Sequence, residues 1–245
     1  MLHLKLVEVV TLNCLNCHAY ILAMPNFVCM NFDFLSLGRT SYQDGLLLQE
    51  NLFNAQLEHL EANEPTSNTL IFLQHDPVYT LGKSGDLNNL KVPIEETDAE
   101  FFKTNRGGDI TYHGPGQLTG YPIFDLNSFN IGVREYVEIL EQCIIDCIAE
   151  YGLEGKRIDG ASGVWLDAGT STERKICAVG IKVSRGVCMH GFAFNINTDL
   201  SYFENIIPCG LEDKGVTSLA KELGKKQDFV EVEKRLLKQF EQKFK

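Results

Sequence analysis

Residues 105 to 122 read NRGGDITYHGPGQLTGYP, five glycines and two prolines in eighteen positions. No helix runs through such a stretch, because glycine and proline are the two poorest residues in a helix interior. The middle of the chain is therefore committed to turns and short strands. On either side the periodicity changes. Leu46, Phe53, Leu57 and Leu60 recur at helical spacing after a Thr/Ser start, which predicts an amphipathic helix. Val137, Leu140, Ile144, Cys147, Ile148 and Tyr151 predict a second, stopped by Gly152. Near the end, Asp228 with Glu231 three residues on has the form of a capping box.

Between these helices lie strand patterns. TLIFLQHDPVYTLG reads as a buried strand, a turn at Asp76-Pro77 and a second short strand. GVWL, KICAVGIKV and VCMHGFAFNIN follow, the second alternating through Cys177, Val179, Ile181 and Val183. Strands and helices are interspersed without a strict βαβ rhythm, which predicts an α+β domain rather than a doubly wound sheet.

The chain has 245 residues and a formal charge of −11, from 22 basic and 33 acidic side chains. That balance argues against a nucleic-acid partner. Eight cysteines in a chain of this size, without a clean secretory signal, read as reduced thiols and not as a disulfide framework. Cys14 and Cys17 form a lone CxxC with no second pair at zinc spacing, and Cys143 and Cys147 sit four apart on a helical pattern that faces them to the core. No metal site and no cofactor is expected. Residues 9 to 32 carry no Asp, Glu, Lys or Arg, but four asparagines and Pro25 interrupt them, so they are a poor membrane span. An extension over 1–33 and a domain over 34–245 are expected.

Two local features carry chemistry. Gly107 and Gly108 let a backbone approach a ligand closely, while Arg106 either pairs with an anion or holds a loop by its carbonyls. Neither phosphate-loop pattern, GxxxxGK[ST] or GxGxxG, is present. Farther on, FENIIPCGLED places Cys209 between a proline and a glycine, at a bend instead of in a core strand.

RGGDITYHGPGQLTGYPIFDL is similar to the signature of the octanoyltransferases of lipoate biosynthesis. QHDPVYTLG, RKICAVGIKVSRGVCMHGFAFNINTDL and FENIIPCGLEDKGVTSLAKEL continue the resemblance in order over roughly residues 35 to 240. It implies a single α+β domain of the biotin/lipoate–protein ligase catalytic fold, a mixed sheet with flanking helices. It also implies that Cys209 carries the acyl group as a thioester and that Lys175 acts with it. Arg106, Gly107, Gly108, Asp109, Ile110, Thr111, Tyr112 and His113 would line the substrate site, with Ala178, Val179, Gly180, Gly191, Phe192 and Ala193. His75 and His190 fall in matching motifs as supporting candidates.

The implied donor is octanoyl-acyl carrier protein. The implied acceptors are lipoyl domains of 2-oxo-acid dehydrogenase subunits and the glycine-cleavage H protein, with no membrane partner. Such partners are acidic, so a basic rim drawn from Arg106, Arg157, Arg174, Lys175, Lys182 and Arg185 is expected to dock them. An ATP-dependent lipoate–protein ligase or lipoyl amidotransferase of the same fold is the alternative. A resemblance to the eukaryotic branch points to mitochondria, although no arginine precedes Arg39; cytoplasm is the alternative.

Overall fold

The computed structural model describes residues 31–207 and 214–245. Its strands are β1 (Asp33–Thr40), β2 (Thr69–His75), β3 (Val78–Leu81), β4 (Glu100–Lys103), β5 (Ile110–His113), β6 (Gln117–Ile123), β7 (Lys156–Ile158), β8 (Ala161–Leu166), β9 (Arg174–Ser184), β10 (Val187–Asn195) and β11 (Gly215–Val216). Its helices are α1 (Tyr42–Ala62), α2 (Val133–Ala149), α3 (Leu219–Leu223) and α4 (Phe229–Lys243). The helix starts follow from local chemistry. The Ser41 hydroxyl accepts from Asp44 N–H at the head of α1, and Asp228 accepts from Val230 and Glu231 N–H at the head of α4. The return half of that expected capping box is replaced, since the Glu231 carboxylate accepts from Arg235.

The large sheet runs β1-β2-β6-β10-β9-β8-β7, with β11 added in parallel against the start of β9. It is mixed: β1 and β2 are parallel, while β2, β6, β10, β9 and β8 are successively antiparallel. A second, three-stranded sheet has the order β4-β3-β5. The two strands either side of Asp76-Pro77 thus belong to different sheets, and that turn carries the chain from one to the other.

Alternation sorts the residues of the large sheet. One face meets α2 and α4 in the main core, where Phe72, Phe192, Phe194, Ile144 and Phe240 are buried together. The opposite face is covered at one end by α1, with Phe53 against Ile71, Tyr121 and Met189. The small sheet packs its own apolar cluster, with Tyr79 and Tyr112 buried beside Ile206. This leaves a cleft on the α1 face of the large sheet, walled by both sheets. Among the described residues no helix is long and apolar enough to cross a membrane.

Candidate active site

The cleft holds about 50 Å³ of solvent-accessible space, narrow beside the roughly 300–1,000 Å³ usual for small-molecule sites. Arg106 to Thr111, His113, Lys175, Ala178 to Gly180 and His190 to Ala193 all line it. The structure thereby gathers residues that lie up to 87 positions apart in the chain.

Lys175 reaches the cleft through an irregularity. On β8, Val164 and Leu166 face the main core, while Trp165 lies on the cleft side with Lys175. The register steps from Val164↔Cys177 to Trp165↔Lys175, so Ile176 is an extra residue on β9. Ile176 and Cys177 both enter the core. Strict alternation would place Lys175 there too; the bulge turns it to the other face. Its ammonium donates to the Ser162 carbonyl at 3.1 Å and lies 4.5 Å from the centre of the Trp165 ring. The residue is 9% exposed.

His190 breaks alternation in a similar way. Cys188 and Phe192 on either side face the main core, but His190 lines the cleft and adopts a left-handed backbone, φ 58°. Such a conformation is costly for a non-glycine residue and recurs at functional sites. Its amide donates to Gln49 Oε1 of α1, and Nε2 pairs with Asn105 Oδ1 at 2.9 Å.

The glycine-rich loop is held by its own residues. Arg106 donates to the Thr80 carbonyl (2.6 Å), the Thr80 hydroxyl and the Gly107 carbonyl, so of its two sequence readings these contacts support the loop-holding one. Thr80 is within reach of His113 Nε2, and His113 Nδ1 pairs with Gln117 Oε1. Gln117 in turn donates to Asn195, and Asn195 to the Thr217 carbonyl. Thr217 N–H returns to the Lys175 carbonyl. One polar chain therefore runs from the loop to the strand that carries the lysine. Gly180 is required by the close approach, because a Cβ there would sit 2.9 Å from the Gly107 carbonyl oxygen. Asp109 is engaged with the neighbouring loop, accepting from Asp86 N–H, Asn89 and Ile110 N–H.

Two expected residues lie off the cleft. Tyr112 alternates with Thr111 and His113 on β5, so it faces the small sheet's core and stacks on Tyr202 at 4.4 Å. His75 stands behind Tyr121. Its Nδ1 donates to the Thr40 carbonyl at 2.9 Å, and its Nε2 accepts from the Tyr121 hydroxyl at 2.6 Å. Burial lowers the pKa of His75 to about 4 and of His190 to about 3, and holds His113 well below its ordinary value. All three imidazoles are neutral at physiological pH.

Several lining or supporting residues were not singled out from sequence. Tyr42, Thr119 and Tyr121 line the cleft; the last two sit inside the glycine-rich stretch, which was the available signal. Glu141 of α2 is buried, pairs with Arg157 at 3.0 Å and accepts from Gly163 N–H at 2.8 Å. Cys209 lies outside the described residues, as do Cys14 and Cys17. Ile207 and Lys214, the nearest described residues on either side of it, line one cleft together, and Val216 pairs with Lys175.

The side chains expected at a basic rim are found beside these partners. Arg157 is paired with Glu141, Arg174 with Glu222 and Asp167, and Arg185 with Glu61. Arg106 is buried in the loop, and Lys182 lies over the Phe53 ring. Arg106 and Lys175 are buried, while Arg157 and Arg185 keep partly exposed side chains beside their acidic partners. Among the described residues no cluster of three or more His, Cys, Asp or Glu is placed to hold a metal.

A family model described as the lipoyl protein ligase A/B catalytic domain matches residues 41–241. A Parabacteroides distasonis octanoyltransferase is 53% identical over 203 residues, covering 81% of this chain and 92% of that protein. A Porphyromonas gingivalis octanoyltransferase is 50% identical over 224 residues, covering 90% of this chain; the chain spans 46% of that relative's length. The fold resembles a bi-partite lipoate protein ligase solved with its E2 lipoyl domain from Thermoplasma acidophilum, with a TM-score of 0.64 at 16% identity. That match covers 87% of this chain and 84% of the other.

Proposed function

This chain belongs to the lipoyl protein ligase A/B catalytic-domain family, and from that premise we propose that it moves an octanoyl group from octanoyl-acyl carrier protein to Cys209 and then to a lysine of a lipoyl domain. It is an acyltransferase, as its octanoyltransferase relatives are named. The finer steps rest on the residues. Thioester exchange between two thiols is near-isoenergetic, and transfer from thioester to amine runs downhill, so no nucleotide is needed.

The observation that carries the reading is Lys175. A bulge places its amine at the cleft, at the head of a floor made by Ala178 and Ala193, with the polypeptide that resumes after Cys209 paired alongside it. A thiol with a pKa near 8.5 is only a few per cent ionised at neutral pH and needs a nearby cation or base. Lys175 serves as that partner and then relays a proton from the attacking amine. His113 and His75 have both ring nitrogens engaged by the contacts above, so they position the site and do not shuttle protons. The acceptors are lipoyl domains of 2-oxo-acid dehydrogenase subunits and the glycine-cleavage H protein. The relatives named above are bacterial, which leaves the mitochondrial expectation without support; we take the cytoplasmic alternative.

The test is intact-protein mass spectrometry after incubation with octanoyl-acyl carrier protein and no acceptor. One octanoyl mass, labile to hydroxylamine, is expected on the wild type and absent from Cys209→Ser. Lys175→Ala should slow its appearance at least tenfold. No adduct on the wild type, with lipoyl-domain modification that requires ATP and free lipoate, would replace this reading with the ligase one.

A further inference from the structure

We infer that the slot between the glycine-rich loop and the head of β8 is the entrance by which the acceptor's lysine reaches the acyl group. The inference rests on the transfer reading above and adds to it the route of the second substrate.

Two roomy grooves flank the narrow cleft. The slot holds about 480 Å³ of solvent-accessible space between Gly107 to Asp109 on one side and Gly160 to Ser162 on the other, with Val137 of α2 at its rim. The second groove holds about 610 Å³ beyond Phe203, Lys214 and Val216, which also line a passage to Lys175. Among the described residues the two grooves share no lining residue. In the transfer reading donor and acceptor are both proteins, and separate approaches to one reactive centre suit a transfer in two steps.

Charge tells the two approaches apart. Beyond Lys175 at its inner end, Asp109 is the one charged residue among those described along the slot. The donors to its carboxylate, Asp86 N–H, Asn89 and Ile110 N–H, are neutral and do not cancel its charge. The second groove carries Lys91, Lys221 and Lys214, the last paired with Glu173, against Glu204. An incoming ammonium meets like charge there and opposite charge at the slot, and an acidic donor meets the reverse.

The slot also has the reach and the lining that a lysine needs. Lys175 donates to the Ser162 carbonyl at 3.1 Å, so its amine stands at the inner wall. Gly160 and Ser162 are two residues apart, about 7 Å at most. A lysine side chain spans roughly 6 Å, with bonds of about 1.5 Å in zigzag. Its backbone can stay at the level of Gly160 while its nitrogen meets Lys175, the group that takes its proton. Pairing of β8 with β9 stops at Gly163↔Ala178, and farther along β9 the Ile181 carbonyl accepts from Gly107 N–H. Residues two apart on a strand turn their main-chain groups the same way, so Val179 directs its carbonyl into the slot as an acceptor for an ammonium. Outside, Val133 is 48% exposed one turn before Val137 on α2. The rim thus continues as an apolar surface on which a folded domain can rest.

The experiment follows the two half-reactions separately in the full-length protein: loading from octanoyl-acyl carrier protein, and discharge of the loaded protein to a lipoyl domain. Ser84→Trp and Val137→Trp narrow the slot from different walls. Each is expected to slow discharge to the lipoyl domain at least ~10-fold and to leave loading within about twofold, on the like-charge and reach arguments above. Hydroxylamine, small enough for either approach, should still discharge both loaded variants at the wild-type rate. Should a tryptophan variant not fold, Val133→Glu at the exposed rim carries the same direction, raising the half-saturating lipoyl-domain concentration about fivefold, roughly 1 kcal/mol of lost apolar contact. Slower loading, alone or together with slower discharge, would give the slot to the donor and overturn the inference. Unchanged discharge in all three variants overturns it as well, and so does discharge to hydroxylamine that slows in step. A wild type that takes no octanoyl group from the donor overturns the transfer reading itself, a distinct result.

Discussion

Lys175 and Glu141 grip one peptide unit from opposite ends. The Ser162 carbonyl accepts from the lysine ammonium, and the Gly163 N–H of the same peptide donates to the buried carboxylate. Each bond polarises the peptide in the sense that strengthens the other. Burial raises the Glu141 pKa, opposed by the Gly163 amide and Arg157. Glu141 acts through the peptide, so it is a positioning residue for the lysine. Glu141→Ala leaves a buried amide without its acceptor, at about 1–3 kcal/mol, and lets the Ser162 carbonyl drift. Octanoyl loading of Cys209 is expected to slow about tenfold with the half-saturating donor concentration unchanged. Glu141→Gln keeps an acceptor and should recover most of the rate. A Gln variant as slow as the Ala variant would show that the charge, and not the geometry, is what matters.

At the level of elements, the two strands that shape the site are the two that break their own pattern. The alternation through Cys177, Val179, Ile181 and Val183 was legible, and all four do pack at the main core. The extra residue at Ile176 was not, because a bulge shows only in the pairing with β8. The His190 backbone is hidden likewise, since nothing in VCMHGFAF announces a left-handed residue. Helix positions were readable from caps and periodicity, yet Glu141 looked like any solvent-facing helix acid until β7 and β8 covered it. Tyr112 was misplaced by carrying over a whole motif where the strand period of two exposes only alternate residues. The helices themselves were predicted by their apolar faces, and α4 shows why: Phe240 meets Phe72, Phe192 and Phe244 at ring-centre distances of 5.8, 5.7 and 5.6 Å. Phe240→Ala is expected to cost about 3–5 kcal/mol, measured by urea unfolding. A loss under about 1 kcal/mol would mean that α4 contributes little to the core.

For the molecule as a whole, the same burial that shapes the site sets a dependence of stability on pH. His75, His113 and His190 are held neutral in the folded protein, with pKa values below the ordinary 6.5. In the unfolded chain they protonate as the pH falls through about 6.5. Below that point the unfolded state binds more protons than the folded one, so stability declines on acidification, by up to about 1.4 kcal/mol per pH unit for each histidine. For His75 the decline continues to about pH 4 and for His190 to about pH 3. Asp167, Glu173, Asp199 and Glu222, whose pKa values are lowered by hydrogen bonds to Arg174, Lys214, Ser201 and Arg174 respectively, add to the loss only below about pH 4, where unfolded carboxylates protonate. Glu141 and Glu233, raised by burial, act in the opposite sense. Between pH 6.5 and 5 the histidines therefore govern the slope. Urea unfolding at pH 7, 6 and 5 is expected to show falling stability, and His75→Gln to show a shallower fall than the wild type. A flat profile over that interval would mean that the three imidazoles take up protons without unfolding the site, and that His75 is held less rigidly than its hydrogen bonds to Thr40 and Tyr121 require.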